Sequence, residues 1–298
     1  MCYHQVAKEK EMDFNVSEDT KLIRGMLQIS QSDLAREIGV SKITVLRIEN
    51  NETRPETETI NRIYDFAYRK GIKVNSIKEM FYKEDITDQT LVFHGAKTMI
   101  KGGISLDFGK GSNDFGKGFY CGESSGQAIS YVAKYPEPSL YMIAFDKSDD
   151  LASCSFGVDQ EWMLAVAYYR GKLEKYKNHP LIKAIVKKVG ASDYIYAPIA
   201  DNRMFLIIDQ FIDGLITDEQ CKHCLAATNL GNQYVFLTEK AISRLTVLER
   251  CFISSLEKER FVRIREANVN DGDNKVRAAL VKYRGKGKYI EEIFHEGD

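Results

Sequence analysis

Residues Ser105–Gly122 read SLDFGKGSNDFGKGFYCG. The pentapeptide Asp-Phe-Gly-Lys-Gly occurs twice, at Asp107–Gly111 and at Asp114–Gly118, and only the second copy runs on into Phe119-Tyr120. Glycine-rich stretches invite a phosphate-loop reading. Neither copy has the GxxxxGK[ST] order, and neither follows a strand with GxGxxG spacing. The chemistry must therefore come from what flanks the second copy. Upstream lies LVFHGA (Leu91–Ala96), a short apolar strand ending in His94-Gly95, where glycine lets a flat ligand approach the backbone. Downstream, SSGQAISYVAKY (Ser124–Tyr135) reads as a helix, with Ala128, Tyr131 and Val132 at helical spacing. Leu140–Asp146, Asp193–Ala200 and Gln233–Leu237 read as further strands, and Asp159–Arg170 and Asp218–Ala227 as helices between them. This is the pattern of a mixed α/β domain.

The ordered set His94-Gly95, Gly116–Tyr120, Ser125–Tyr131 and Asn232–Val235 resembles the catalytic domain of the poly(ADP-ribose) polymerase and diphtheria-toxin class, over about residues 90–250. The longer pattern, with DFGKGFY, Glu161-Trp162 and Pro198–Asp201, is similar to a bacterial branch of that superfamily. The resemblance implies a split antiparallel sheet and a site that cleaves NAD at the nicotinamide–ribose bond through an oxocarbenium-like centre. It implies that Gly95 binds the nicotinamide amide through its backbone, beside Ala96, Gly118 and Phe119, and that His94 hydrogen-bonds the adenosine ribose. Tyr120 and Tyr131 would stack the nicotinamide ring. From position alone each tyrosine reads first as core, because the chain holds 16. The first DFGKG copy falls in the loop that covers the cofactor in that class, an echo with a lid role.

Where that class usually places glutamate at the strand start, this chain has Gln233. Glutamine keeps a hydrogen bond and loses the charge that steadies a cation. Three outcomes stay open: a mono-ADP-ribosyltransferase helped by another carboxylate, an NAD hydrolase, or a site that binds without turnover. Asp201 and Glu161 are the candidate helpers, though each reads first as a solvated surface acid, and Arg203 is a candidate partner for a pyrophosphate or a target. NAD is the expected co-substrate, with no metal. Cys221-Lys-His-Cys224 has ligand spacing but no second pair, so two ordinary helix cysteines are the simpler reading.

The N-terminal region has a different grammar. Asp19–Gln28 reads as a helix, Ser30–Asp33 as a capping-box-like start, Gly39 as its stop, and Ser41 as the cap of a third helix, Lys42–Asn50. A fourth helix is expected at Glu56–Lys70. Over residues 19–72 this resembles the Cro/repressor-type (XRE) helix-turn-helix family, through Gln31, Leu34-Ala35, Gly39–Ser41, Arg47–Asn50 and Pro55. The resemblance implies that Gln31, Ser41, Lys42, Thr44 and Arg47 face DNA bases. Residues 1–75 hold 12 Lys+Arg against 12 Asp+Glu. An uncharged module binds DNA phosphates weakly as a monomer, so dimerisation or a protein-docking role stays open.

The 298 residues carry a net charge of −1 and a globular composition, 44% hydrophobic, so no whole-chain field draws the protein to nucleic acid or lipid. No apolar run is long enough to span a membrane, and a cytoplasmic protein with free thiols is expected. The expected plan is α+β: a flexible N-terminus (1–18), an all-α helix-turn-helix domain (19–80), a linker (81–90), a mixed α/β ADP-ribosyltransferase-like domain (91–262) and a helical tail (263–298). Val247–Ala267 reads as a charged amphipathic helix broken by Asn270–Asn274, with a helix, a Gly turn and a short helix to follow.

Overall fold

The computed structural model describes residues 13–109, 111–227 and 230–295; Cys2 and most of the expected N-terminal extension lie outside them, as does Lys110. Five helices come first: α1 (Val16–Leu27), α2 (Gln31–Ile38), α3 (Lys42–Glu49), α4 (Thr57–Arg69) and α5 (Val74–Asp85). The start of α2 is a capping box. The Ser30 hydroxyl accepts the Asp33 N–H at 3.1 Å while the Asp33 carboxylate accepts the Ser30 N–H at 3.1 Å. Gly39 ends α2 in the left-handed region, φ +70°, where a side chain is unfavourable. Ser41 then caps α3 through Thr44 N–H. Ile23, Leu34, Val45, Ile48 and Ile63 close the core of this unit. Helix α5 was not expected, and its last turn occupies part of the span read as a linker.

The rest of the chain runs β1 (Thr90–Ala96), β2 (Phe119–Gly122), α6 (Ser125–Val132), β3 (Ser139–Phe145), β4 (Ser153–Ser155), α7 (Gln160–Tyr169) and α8 (Pro180–Gly190). It continues through β5 (Tyr194–Pro198), α9 (Asn202–Ile212), α10 (Asp218–Ala226), β6 (Asn232–Phe236), α11 (Glu239–Ile242), β7 (Leu245–Phe252), α12 (Ser255–Lys282) and α13 (Ile290–His295). The strands form one sheet, β4-β5-β6-β2-β1-β3-β7, antiparallel except at β4–β5. The overall class is α+β, as expected.

The sheet is narrowest at its middle. Strands β1 and β3 pair along seven positions and β2 and β6 along four, but β1 and β2 pair only at Phe93 opposite Gly122. Continued pairing would set Gly95 opposite Tyr120. The ladder stops short of that point, and a seam opens between the two halves. Helix α6 covers the β1–β3–β7 half through Ala128, Ile129 and Val132, against Leu91, Phe93 and Met142. Helices α7 and α9 cover one face of the other half, where Trp162, Met163 and Ile208 meet Ile195 and Val235.

The helix expected from Val247 is strand β7 as far as Phe252, and α12 begins only at Ser255. The charges there suggested a solvated helical face. They are buried partners instead. Glu249 receives Lys78 Nζ at 2.6 Å, and Arg250 donates to Ser139 Oγ at 3.0 Å and lies over the Phe14 ring. Nor does Asn270–Asn274 break α12, which runs unbroken for 28 residues. Helix α10 packs on α12 just beyond that segment, with Cys224 Sγ facing Val276 O, and tertiary packing of this kind overrides local turn propensity. Arg203 of α9 donates to Asn268 O, and its guanidinium lies 2.6 Å from where a Cβ at Gly272 would stand.

The helical unit is anchored to the sheet. Phe252 enters its core, with the Phe14 and Tyr64 rings each 5.2 Å away. Asn61 and Asp65 of α4 accept the backbone N–H groups of Ser255 and Leu256 at 2.8 and 3.0 Å, satisfying the first turn of α12. Lys78 of α5 lies between Asp19 and Glu249, 2.6 Å from each. Burial disfavours its charge, yet the surrounding negative groups raise its pKa well above that of an ordinary lysine.

Candidate functional site

The two DFGKG copies lie against each other. A Cβ on Gly109 would stand 2.1 Å from the Gly118 carbonyl oxygen, so only glycine permits the contact. Across it, Lys117 of the second copy pairs with Asp107 of the first at 2.6 Å. The echo therefore docks on the copy it repeats, and Gly118 in turn lies close to the Phe236 carbonyl of β6.

Phe119 and Tyr120 leave β2 on opposite faces of the sheet. The Tyr120 ring packs with the α7-side core, and its hydroxyl donates to Gly116 O at 2.8 Å and accepts Phe115 N–H at 3.1 Å. Burial raises its pKa, so the hydroxyl stays protonated and closes the glycine turn. His94 lies on the other face, stacked on Phe119 with ring centroids 4.4 Å apart. The two motif residues meet through the backbone: His94 Nδ1 is 2.7 Å from Tyr120 O across the seam. A carbonyl only accepts, so Nδ1 carries the proton and Nε2 is left as an acceptor. Burial lowers the imidazole pKa, which keeps the ring neutral at pH 7.

Gly95 borders the same seam. A Cβ there would meet the Ala128 carbonyl at 2.4 Å, so the missing side chain is what lets α6 close on β1. Ala96 is buried beside it. Tyr131, on α6, is 67% exposed, and among the described residues no aromatic ring packs against it.

Gln233, the second residue of β6, pairs opposite Gly122, and its side chain shares a face with Tyr120. Both amide hydrogens are engaged, toward Asp114 Oδ2 at 2.9 Å and Pro198 O at 3.2 Å. Asp114, the acid that opens the second DFGKG copy, was not expected at the site. It is buried, pairs with Arg170 at the end of α7 through Nε (3.0 Å) and Nη2 (2.5 Å), and accepts Ala200 N–H at 3.1 Å. A second unexpected carboxylate, Glu123, accepts Tyr196 O–H at 2.5 Å and Asn232 N–H at 3.0 Å. That bond is the main reason the Tyr196 hydroxyl is pushed up to about 12. The one sequence signal for Asp114 was its place in the copy that continues into the site.

The expected helpers are engaged elsewhere. Asp201 caps α9 by accepting Met204 N–H at 2.9 Å, Glu161 pairs with Lys188 at 2.7 Å, and Arg203 faces α12. Cys221 and Cys224 are buried thiols facing the Ile207 and Val276 carbonyls. Their pKa values are raised by burial, Cys224 to about 11, which disfavours the thiolate a metal would need.

On the helical unit, Ser41 at the cap of α3 and Lys42 and Arg47 along it are exposed, with Ile43 and Leu46 between them, and Thr44 is half-buried. Gln31 is a brace: its amide donates to Glu49 Oε2 at 2.7 Å. Glu49 also holds Arg24 at 2.5 Å. Burial alone would raise the Glu49 pKa, but these two bonds bring it below the usual range.

Residues 21–64 match a helix-turn-helix family, and residues 90–247 match a family described as a protein of unknown function, DUF3990. No curated protein and no solved structure matches the chain. The second match spans more than half of the residues and takes in β1, the glycine turn, α6 and β6, so the chain belongs to the DUF3990 family.

Proposed function

We propose that this protein transfers ADP-ribose from NAD to a macromolecule, as a mono-ADP-ribosyltransferase, with its helix-turn-helix docking on DNA to help select the target. The observation that carries this reading is the seam between β1 and β2. Gly95, Tyr120 and Gln233 come from three adjacent strands there, and the ladder ends where Gly95 would face Tyr120. A flat amide-bearing ring can approach an open strand edge at a glycine, with an aromatic face on one side. The neutral His94, with Nε2 as acceptor, suits a ribose hydroxyl. The exposed Lys42 and Arg47 of α3 supply the polar contacts for a major groove. The balanced charge of this unit favours a dimer on DNA, in a cytoplasmic setting.

A second reading is a transcription regulator that senses NAD without turnover. It is favoured by Gln233, whose amide hydrogens are both directed into the protein and which brings no charge to a cationic centre. One experiment separates the readings: NAD carrying an adenine label is incubated with wild-type protein or Tyr120→Ala in host lysate, with and without nuclease. Labelled macromolecule that disappears with Tyr120→Ala supports transfer, and its nuclease sensitivity gives the acceptor class. Free ADP-ribose alone points to a hydrolase. Binding of NAD without nicotinamide release supports the sensor. Neither binding nor release overturns all three.

A further inference from the structure

We infer that Asp114 is a positioning residue that fixes the side-chain amide of Gln233, so that its carbonyl oxygen, and not its NH2 group, faces the ligand of the seam. The inference rests on the NAD reading above and deepens it. An amide has two donor hydrogens, and both are accounted for, one on Asp114 Oδ2 at 2.9 Å and one on Pro198 O at 3.2 Å. Among the described residues, Gln233 Oε1 accepts no hydrogen bond. Turning the amide over would place Oε1 against a carboxylate and a carbonyl, two acceptors that cannot bond it.

Asp114 cannot swing away to allow that turn. Oδ1 is gripped twice by Arg170, and Oδ2 accepts Ala200 N–H at 3.1 Å. Arg170 is itself tied to Ala200 O at 2.5 Å, and its guanidinium lies 4.3 Å from the Phe205 ring centroid. The chain therefore offers a fixed acceptor where a ribose hydroxyl would donate, as a glutamate would offer, without placing a second carboxylate beside Asp114. This also accounts for the glutamine. A glutamate here would set its carboxylate about 3 Å from that of Asp114, and two like charges that close cannot both ionise freely.

The test compares wild type, Gln233→Glu, Asp114→Asn and the double variant D114N/Q233E, by nicotinamide release, thermal midpoint and side-chain amide NMR of the full chain. In the wild type the Gln233 NH2 pair exchanges slowly with solvent. Gln233→Glu lowers both the thermal midpoint and nicotinamide release. Asp114→Asn lowers kcat about tenfold or more with a smaller change in KM, since a fixed acceptor matters most where charge develops. The double variant recovers at least part of both losses, because the introduced amide can donate to the introduced carboxylate. A rapidly exchanging NH2 pair in the wild type, or a double variant no better than the sum of its parts, overturns the proposal. If Asp114→Asn does not fold, Gln233→Glu and the exchange rate decide. If the wild type neither binds NAD nor releases nicotinamide, the functional reading falls. Slow exchange and recovery of the midpoint would then still uphold the Asp114 latch, and their absence would overturn it.

Discussion

The Glu79 carboxylate accepts both the backbone N–H of Ser125, at 3.0 Å, and its hydroxyl, at 2.5 Å. A side chain from the helix-turn-helix unit thus completes the first turn of α6, the helix that closes on Gly95. Replacing Glu79 by alanine removes one helix-terminal acceptor, which costs about 1 kcal/mol. The expected result is a lowered urea midpoint with an unchanged slope, and a faster-exchanging Ser125 amide. An unchanged midpoint would mean that water replaces the carboxylate at no cost.

Lys78 is the costlier contact. Its ammonium neutralises two buried carboxylates, Asp19 and Glu249, and Tyr82 donates to the latter at 3.1 Å. Lys78→Met strands both acids, and breaking a buried pair from one side costs about 3–5 kcal/mol. Chemical denaturation measures that loss. The triple variant K78M/D19N/E249Q, which leaves no charge behind, is expected to recover much of it.

Stability should also depend on pH through Glu257. Its carboxyl is buried beside Asn75, and burial raises its pKa to about 7 from the ordinary 4.5. The folded state holds this proton more tightly than the unfolded one does. Its contribution is therefore complete below pH 4.5 and is lost as pH rises through 7, by roughly 3 kcal/mol in all. The measurement is the difference in thermal midpoint between wild type and Glu257→Gln. That difference should shift against the wild type between pH 5 and pH 8, and a flat difference would refute the assignment.

Arg47→Ala and Lys42→Ala each remove an exposed cation from α3. Loss of a base or phosphate contact of this kind lowers affinity by about 1–3 kcal/mol. Gln31→Ala is different, because its amide braces Glu49. It should weaken DNA binding and lower the melting temperature together, whereas the other two lower binding alone. Titration of a selected operator, paired with thermal melts, distinguishes the two patterns.

The helix-turn-helix was legible because its signals are local: Ser30, Asp33, Gly39 and Ser41 each act within a turn of their own position. The strands at Leu91, Leu140 and Gln233 were legible as apolar runs. Strand β7 was not, because Glu249 and Arg250 look solvated until Lys78 and Ser139 are brought to them from distant parts of the chain. The same limit hid Asp114. Nothing within its own segment announces that Arg170, Ala200 and Gln233 converge on its carboxylate. Asp201, picked for its neighbourhood in the sequence, answers to the nearest backbone instead and caps a helix.

The insertion of Phe252 into the first core sets an order of events during synthesis. Helices α1–α5 leave the ribosome long before Glu249, which lies 171 residues beyond Lys78. Until then the growing chain has a helix-turn-helix with an apolar slot between Phe14 and Tyr64 and with Lys78 lacking one of its two acids. The unit that would seek DNA is finished only when the last strand of the sheet arrives to fill it, so a chain cut short before β7 carries the module in an incomplete form.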